Sequence, residues 1–257
     1  MIEAEVKEFI VRDLWSITAI IILTYVFTGF LYIVGSAFGG SSGSLSTSSN
    51  IDPFAYRAVG SSIVVLSMMI LSAMGQYIYS SMLSGRLEAL LASPISLSAV
   101  LVVTAIPMMI FGLSIFMATA APAIYIALSK YGVITAIESI AIIAIGMIPL
   151  FILGFLLSIA IAKLGSPVIL NLSQAFIFTF SGALYPLIIL PELLRLLPLS
   201  LPTYYIAEAL RGLISSESQS LALGGVPRLL IVTLAYGSIG SILYRRFSRS
   251  IRGGVAA

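Results

Sequence analysis

The chain has no cysteine and no histidine among its 257 residues. Without them, disulfides, thiolate chemistry and histidine general bases are excluded, as are nearly all zinc sites. Charged residues make up 9% of the chain, whereas a soluble protein has about 25%. Aspartate occurs twice, at Asp13 and Asp52, and neither position lies deep in an apolar run. The chain is therefore poorly equipped for catalysis.

Apolar residues make up 60% of the sequence, and its mean hydropathy is +1.14. Several apolar runs exceed the roughly 18 residues that indicate a membrane-spanning helix. Backbone groups in lipid need partners within their own segment, and these runs lack the alternation of membrane strands. We therefore expect an all-α, polytopic membrane protein with a single transmembrane domain over residues 1–257. The six expected transmembrane helices are residues 16–38, 56–79, 97–128, 137–162, 168–190 and 229–244.

The basic residues predict the orientation of these spans. Six spans place both termini on one side, and cytoplasmic segments carry an excess of Lys and Arg. Eight basic residues lie on the side of the termini and five on the other, and the C-terminal stretch dominates this bias. That stretch contains Arg245, Arg246, Arg249 and Arg252. We expect a multi-pass protein of the cytoplasmic (cell) membrane with both termini in the cytoplasm.

Residues 1–15 predict an amphipathic helix that lies in the membrane interface. Apolar residues recur there at helical spacing, and charged residues fill most of the remaining positions. The apolar residues are Ile2, Val6, Phe9, Ile10 and Leu14. Trp15 ends the segment and has a ring suited to the headgroup level.

A short charged segment, SGRLEALLASPIS at residues 84–96, separates the second and third apolar runs. Its first part consists of good helix formers, and Pro94 ends the helix because the preceding residue is pushed out of helical geometry. With cytoplasmic termini, this helix lies across the cytoplasmic end of the protein, where Arg86 and Glu88 can meet a partner. An ordinary helical hairpin loop with solvated charges explains the same residues, and composition does not separate the two interpretations.

The same segment resembles one in the permease subunits of type-2 ATP-binding-cassette (ABC) exporters. In that family a G-T-x-E-x-L-L-x-[ST]-P-x-S pattern follows the second span. The residues that match are Gly85, Glu88, Leu90, Leu91, Ser93, Pro94 and Ser96. Leu87 departs from the pattern, and the charged residues usual just before the glycine are absent, apart from the later Arg86.

A second block, FSGALYPLIILPELLRLLPLSLPTYYIAEALRGLI at residues 180–214, resembles the same family. The family pattern is F-x-S-G-x-x-[FY]-P-x-x-x-[LM]-P, followed by a run that ends N-P-[LT]-x-Y-x-x-x-x-[LF]-R. The residues that match are Ser181, Gly182, Tyr185, Pro186, Leu190, Pro191, Pro202, Tyr205, Ala209, Leu210 and Arg211. Ser200 and Leu201 replace the expected asparagine region. Together with the six spans, the two blocks extend the resemblance over the whole chain.

The resemblance implies a coupling helix at residues 84–96, which docks in a groove on a separate ABC ATPase subunit. The coupling residues are then Gly85, Arg86, Glu88, Leu90, Leu91 and Pro94. Residues 1–15 become a connecting helix that also touches the ATPase. Residues 191–214 become an external segment of short re-entrant helices. Its marker residues are Pro186, Pro191, Pro202, Tyr205 and Arg211.

The resemblance also implies an assembly of two permease chains, which we expect to be a homodimer, with two ATPase chains. This chain contains no G-x-x-x-x-G-K-[ST] motif, so ATP and Mg would be bound by the partner subunit. We expect no cofactor in this chain. Its other partner is the lipid bilayer, and no nucleic-acid binding is expected because no basic stripe with interleaved aromatics occurs.

The expected fifth span carries a stripe of residues at spacings of 3, 4, 3 and 4, which places them on one helix face. The stripe consists of Asn171, Gln174, Phe178, Ser181 and Tyr185. Polar side chains in a membrane helix face protein or water rather than lipid. The stripe therefore either lines a translocation path between two permeases or makes hydrogen bonds within one bundle. Gln76 in the second span allows the same two interpretations.

No charged residue clearly lies at the midplane of a span, which argues against an ion-coupled pump and a highly charged cargo. We therefore expect the permease subunit of an ATP-driven exporter that moves a hydrophobic or amphipathic substrate. An ion-coupled secondary transporter predicts buried acids and internal symmetry, and a membrane-embedded enzyme predicts clustered catalytic groups. The sequence shows neither pattern. A non-transporting membrane partner with the same fold stays open as an alternative.

Overall fold

The computed structural model describes residues 18–30, 32–33, 53–86, 97–187, 190–214 and 219–254. Across these ranges the regular elements are all helices, and no residue lies in a strand. Three helices there are long and apolar enough to cross a membrane. They are Phe54–Leu83, Val133–Leu164 and Val226–Leu243. The prediction of an all-α membrane protein is confirmed at this level.

In chain order the helices are α1 (Thr18–Phe30), α2 (Pro53–Leu83), α3 (Leu97–Tyr131), α4 (Val133–Leu164), α5 (Val168–Phe180), a 3-10 helix (Glu192–Arg195), α6 (Leu196–Ser200), α7 (Pro202–Ile214) and α8 (Gln219–Gly254). Six of them correspond in position to the six expected spans. Only α2, α4 and α8 contain an apolar stretch of spanning length in the described residues, so six crossings stay a prediction.

The fifth helix is shorter than predicted, because it ends at Phe180 and not near residue 190. The residue that prevents continuation is Gly182, whose backbone is left-handed with a φ of 63°. Pro186 follows and has no N–H to donate to a helical hydrogen bond. The prediction of one helix over residues 168–190 is wrong, since apolar composition does not report this change of backbone direction.

Helix α2 is the centre of the bundle, and it packs against α3, α4, α5 and α7. Within the most apolar 18-residue stretch of α2, 72% is buried inside the bundle. The corresponding figure for the most apolar stretch of α8 is 11%. Helix α8 packs on α4 and α7 and presents leucine and isoleucine side chains outward. This apolar outer face suits contact with lipid, while the central position of α2 makes it the element that connects the others.

Helices α2 and α5 run antiparallel. A methyl group at Gly75, in the second half of α2, would lie 2.9 Å from the Leu170 Cδ1 atom near the start of α5. At the other end, Gly60 in the first half of α2 lies against Ala183, which follows α5. Gly75 makes room for the Leu170 side chain, and Gly60 lets the α2 backbone approach the backbone of Ala183. The two contacts together give the relative direction of the helices.

Candidate functional site

The predicted coupling segment begins directly after α2. The Ser84 amide donates to the Ser80 carbonyl (3.0 Å), and the Gly85 amide donates to the Met82 carbonyl (3.1 Å). Gly85 has a φ of 68°, and Arg86 is exposed. The remaining coupling residues, Glu88, Leu90, Leu91 and Pro94, lie outside the described residues, as does the predicted amphipathic helix at residues 1–15. Docking of these segments on an ATPase stays a prediction.

The structure divides the predicted polar stripe into two parts. Asn171, Gln174 and Phe178 lie on α5. Ser181 caps the C-terminal end of α5 with helical φ and ψ, and its amide donates to the Ile177 carbonyl at 2.9 Å, but its side chain is buried. Tyr185 lies beyond the helix, after the left-handed Gly182. The prediction that all five residues form one helical stripe is wrong, because the helix has ended before Tyr185 and because Ser181 is buried whereas Asn171 and Phe178 are exposed.

Ser181 and Tyr185 instead stabilise the turn that follows α5. We call residues 181–187 the Ser181 turn. The buried Ser181 hydroxyl accepts a hydrogen bond from the Ala183 amide at 3.2 Å. The Tyr185 hydroxyl donates to the Thr179 carbonyl in the last turn of α5. Both side chains therefore act on the local backbone.

Helix α2 carries a second set of polar side chains, Ser72, Gln76 and Ser80, at a spacing of four residues. This spacing places them on one helix face. The Gln76 Nε2 atom donates to the Ser72 Oγ atom at 2.9 Å. Gln76 and Ser80 are exposed, although most of α2 is buried.

The polar residues of α2 and α5 lie on the same side of the helix pair. Gly75 and Leu170 face each other, and Gln76 and Asn171 are the next residues on their helices. One residue corresponds to a rotation of about 100°. Because the helices are antiparallel, the two rotations run in opposite senses when viewed from one end. Gln76 and Asn171 consequently point to the same side.

Ser72 and Ser80 lie one helical turn before and after Gln76, and Gln174 lies about one turn after Asn171. These side chains therefore lie on the same side of the two helices, and together they form one surface, which we call the polar face. This polar face consists of Ser72, Gln76, Ser80, Asn171 and Gln174. Its groups are hydroxyls and amides, and no charged residue occurs in α5 or in residues 58–83 of α2. The face is therefore polar and neutral, and on the single chain it is exposed at Gln76, Ser80 and Asn171 and half-buried at Ser72 and Gln174.

An aromatic pair borders the polar face towards the end of α5. Phe178 shares the α5 side that carries Asn171, and its side chain is 40% exposed. Its ring centroid lies 5.3 Å from that of Phe27 on α1. Helix α1 also contacts α2, through a hydrogen bond between the buried Thr28 and Ser61 hydroxyls at 2.7 Å. The surface thus changes from amides and hydroxyls to aromatic rings along α5.

The predicted external residues lead to a second centre, where Arg211 is buried. Its Nη2 atom donates to the Tyr56 carbonyl at 3.2 Å and to the Ala183 carbonyl. Its Cζ atom lies 3.4 Å from the centroid of the Tyr56 ring. Arg211 therefore joins three parts of the chain: α7, the start of α2 and the Ser181 turn.

Gly60 makes the contact between α2 and the Ser181 turn possible. A methyl group at this position would overlap the Ala183 carbonyl and would lie 2.9 Å from the Arg211 Nη2 atom. On the other side of the turn, the Thr203 hydroxyl of α7 donates to the Ser181 carbonyl at 3.5 Å. The turn is thus enclosed between the start of α2 and α7.

The charge of Arg211 is balanced without an ion pair to any described carboxylate. Burial lowers the pKa of Arg211, yet an arginine stays protonated in proteins. The carboxylate of Glu208 forms an ion pair with Arg228 of α8 at 3.7 Å. Burial and the Glu208 carboxylate raise the pKa of Tyr204. Carbonyl oxygens and an aromatic ring therefore surround the Arg211 guanidinium.

The other predicted external residues lie in the Ser181 turn and in or beside the three short helices between residues 191 and 214. Pro191 precedes the 3-10 helix and Pro202 begins α7. Pro186 is half-buried at the end of the Ser181 turn, and the Tyr205 hydroxyl donates to the Leu199 carbonyl at 2.8 Å. The break into short helices agrees with the proline spacing, and re-entry into the membrane stays a prediction.

Several residues at these two centres were missed by sequence reasoning. Tyr56 and Gly60 carry no motif, and their role depends on contact with Arg211 across 155 residues of sequence. Arg57 is also buried, and its Cζ atom lies 5.6 Å from the Tyr32 ring centroid. Ser72 and Ser80 were overlooked although their spacing from Gln76 was a usable signal.

No protein-family model matches the chain, and no curated protein matches it. Among the described residues no group of acidic side chains comes together in a way that could hold a metal ion. The candidate sites in the described part of the chain are therefore the polar face and the Arg211 centre.

Proposed function

We propose that this chain is the permease subunit of an ATP-driven ABC exporter in the cytoplasmic membrane. In this proposal two copies meet at the polar face, cargo passes between them, and a separate ATPase binds ATP and Mg and supplies the energy. The polar face is the observation that carries the proposal. The motif resemblance of residues 84–96 and 180–214 supports the same family.

The polar face needs a cover other than lipid. An amide moved from water into an apolar medium without a hydrogen-bond partner costs roughly 2–7 kcal/mol. Gln76 and Asn171 are both exposed on the single chain, and the Gln76 amide uses one of its donors on Ser72. If the chain stayed alone in lipid, the remaining polar groups of the two amides would face acyl chains. Contact with protein or water removes this cost, and a path between two chains offers both.

A second copy of the same chain is the partner that best suits this chemistry. Each amide side chain carries both donors and acceptors, and each hydroxyl can do either. Such a surface can pair with itself around a two-fold axis, which is the commonest symmetry of homo-oligomers. A face with one sign of charge would repel its own copy, and this face has no charge.

The residues favour an external energy source over an ion gradient. Ion-coupled transporters place acidic side chains in the interior of the membrane domain. The described acidic residues are Glu138, Glu192 and Glu208, and none of them is buried. Gln76 lies about 10 Å before the end of α2, where the predicted coupling segment begins. A displacement of that segment would therefore act on the helix that carries three of the five residues of the polar face.

The lining also indicates the class of cargo. Neutral amides and hydroxyls bind uncharged polar groups, and the Phe27 and Phe178 rings beside them bind apolar ones. A hydrophobic or amphipathic molecule with a neutral polar part fits this combination. A strongly charged cargo would find no counter-charge along α5 or along residues 58–83 of α2.

Recovery of the ATPase tests the proposal directly. Tagged protein is isolated from native membranes in mild detergent, and the proteins that accompany it are identified by mass spectrometry. We expect a P-loop ATPase with the normal chain. The matched control carries Arg86→Ala, Glu88→Ala and Leu91→Asp, and it should lose the ATPase while its own yield stays the same. Absence of any ATPase, from membranes in which one is expressed, would contradict the exporter proposal and favour an ion-coupled transporter.

A further inference from the structure

An ion pair between α7 and α8 lies on the surface of the bundle. The Arg228 Nη1 atom of α8 is 3.7 Å from the Glu208 Oε1 atom of α7, and the two side chains are 64% and 38% exposed. Glu208 is also the hydrogen-bond partner of Tyr204. The rings of Tyr204 and Tyr205 meet edge to face, with their centroids 5.2 Å apart. We call these four residues the paired-charge surface.

Arg228 lies at one edge of the membrane-spanning part of α8. It is the third residue of the apolar stretch Val226–Leu243. Residues 229–244 carry no charge, and Arg245 follows them. A helix of that length extends about 24 Å, which is close to the roughly 30 Å of a bilayer core. Arg228 is therefore expected where the hydrocarbon core meets the lipid headgroups.

The packing of α8 on α4 gives the same level for Arg228. Gly240 of α8 lies against Ile152 of α4, and α7 lies against Gly146 of the same helix. Because α7 also contacts Arg228, α4 and α8 run in the same direction. Arg228 is about 18 Å from the level of Ile152, and the exposed Glu138 of α4 is about 21 Å from it on the same side. The first charges of α4 and α8 thus lie near the same edge of the bundle.

Arg228 uses little of its hydrogen-bonding capacity within the chain. A guanidinium has five N–H donors. A separation of 3.7 Å from Glu208 makes an ion pair but is longer than a hydrogen bond. In the ranges that the structure describes, Arg228 has no further ion pair or hydrogen bond. Its donors are therefore available to a phosphate, the anionic group of the headgroup layer.

Towards the middle of the membrane, α8 continues as an apolar surface. Ile231, Ala235 and Ile242 lie within about 60° of Arg228 around the helix. All three are exposed, Ile231 by 65% and Ile242 by 54%. A molecule that binds at Arg228 and continues along α8 combines a phosphate with apolar chains. This combination is the chemistry of a phospholipid.

Glu208 determines which class of phospholipid matches the surface. An anionic headgroup on Arg228 would bring a net negative charge beside the Glu208 carboxylate, which repels it. A zwitterionic headgroup that ends in an ammonium places its phosphate on Arg228 and its ammonium on Glu208. The ring of Tyr205 next to them is a further partner for a cation. Both charges of the protein are then matched.

We propose that the paired-charge surface is a binding site for a zwitterionic phospholipid with an ammonium headgroup. Arg228 binds the phosphate, Glu208 binds the ammonium, and the exposed side of α8 contacts the acyl chains. The lipid belongs to the leaflet on the side of Glu138. The site lies on the outer flank of the bundle and does not depend on the exporter proposal.

Tryptophan fluorescence reports which lipid lies beside Arg228. The chain has one tryptophan, so Trp15→Phe with Ile231→Trp gives a single reporter next to the site. The protein is reconstituted into vesicles of equimolar phosphatidylethanolamine and phosphatidylglycerol with the same acyl chains. One lipid or the other carries bromine on its chains, which quenches a neighbouring tryptophan. We expect quenching that corresponds to about a fivefold local excess of phosphatidylethanolamine, since one matched charge at a membrane surface has an effect of that size.

A second reporter position provides the matched control. Ile110 on α3 is 63% exposed, and α3 carries no charged residue before Lys130. Trp15→Phe with Ile110→Trp should therefore be quenched equally by the two brominated lipids.

Substitutions at the pair separate headgroup recognition from a purely structural contact. Arg228→Gln should abolish the preference beside Ile231→Trp. Glu208→Gln removes the repulsion but keeps the phosphate partner, so the preference should change to phosphatidylglycerol. An ion pair this exposed contributes little to stability, and we expect both variants to keep the unfolding temperature of the parent protein.

Equal quenching beside Ile231→Trp, or stronger quenching by brominated phosphatidylglycerol, would overturn the proposal and leave the ion pair as a structural contact. A preference for phosphatidylethanolamine that survives both Arg228→Gln and Glu208→Gln would overturn it as well. If one variant does not fold, the other decides. No ATPase takes part in the measurement, so its result is separate from the fate of the exporter proposal.

Discussion

At the scale of single residues, Arg211 shows how a cation is accommodated without a carboxylate. A hydrogen bond to a charged group contributes about 1.5–3 kcal/mol, and a desolvated cation–π contact contributes about 2 kcal/mol. Arg211 makes both kinds of interaction, with two carbonyls and with the Tyr56 ring. These contacts offset the cost of burying its charge. A lysine at this position could not offer the same planar fork to both carbonyls and the ring.

Two glycine substitutions should have opposite effects on stability. Gly146→Ala would place a methyl group 2.6 Å from the Ile206 Cγ1 atom, between α4 and α7. Overpacking of this kind costs about 1–3 kcal/mol, so we expect a lower unfolding temperature in detergent. Gly29→Ala meets no neighbour, and it should be neutral or stabilise α1 by up to about 1 kcal/mol, because alanine favours helices. Equal unfolding temperatures for both variants would contradict the close packing of α4 on α7.

At the scale of secondary structure, α5 is the element that departs most from expectation. Its 13 residues extend about 20 Å, which is less than the roughly 30 Å of a bilayer core. The Ser181 turn and the short helices that follow it must therefore complete any crossing. Only Leu170 and Ile177 of α5 are buried, while Asn171 is exposed and Gln174 is half-buried. These properties suit a helix that meets a second chain.

Cysteine cross-linking should detect that second chain. The absence of natural cysteine makes single substitutions unambiguous. We expect Asn171→Cys and Gln76→Cys to form covalent dimers in native membranes, because both positions lie on the polar face. Leu234→Cys on α8 is equally accessible, with its side chain 71% exposed, but it lies on the apolar outer surface and should stay monomeric. Dimer formation is read from the band positions on a non-reducing gel.

If the two polar-face cysteines stay monomeric while the protein is folded and inserted, the interface between copies lies elsewhere. Equal cross-linking of all three variants would indicate random collision in the membrane. Either result would contradict the pairing of two chains at the polar face.

At the scale of the whole molecule, the bundle is organised around α2. It packs against α3, α4, α5 and α7, contributes to the polar face, holds the Arg211 centre at its start and leads into the predicted coupling segment at its end. A single helix thus connects the two centres described above with the segment expected to receive the ATPase. Under the exporter proposal, a displacement of that segment would be transmitted along α2 to both centres.

The topology of the molecule can be measured with the same cysteine-free background. Arg86 follows α2, and Leu193 lies beyond α3, α4 and α5, so the prediction of six spans places three crossings between them. We expect Arg86→Cys to react with an impermeant maleimide only after the cells are permeabilised. Leu193→Cys, which is 84% exposed, should react in intact cells. Reaction of both from the same side would show that α5 and the Ser181 turn do not complete a crossing.

The sequence by itself determined the class of this protein. Its long apolar runs have too few charges to fold in water, and backbone pairing in lipid leaves the helix as the stable form. The break of residues 191–214 into short helices also followed from local chemistry at Pro191 and Pro202. These conclusions depend only on composition and on residues close together in the chain.

The tertiary structure decided which of these helices face one another. The polar face exists because Gly75 brings Leu170 of an antiparallel helix against α2, and neither residue marks such a contact by its type. The Arg211 centre joins residues that are 28 and 155 positions apart. Burial and pairing over such separations depend on how whole helices pack, and packing is not encoded in any single stretch of sequence.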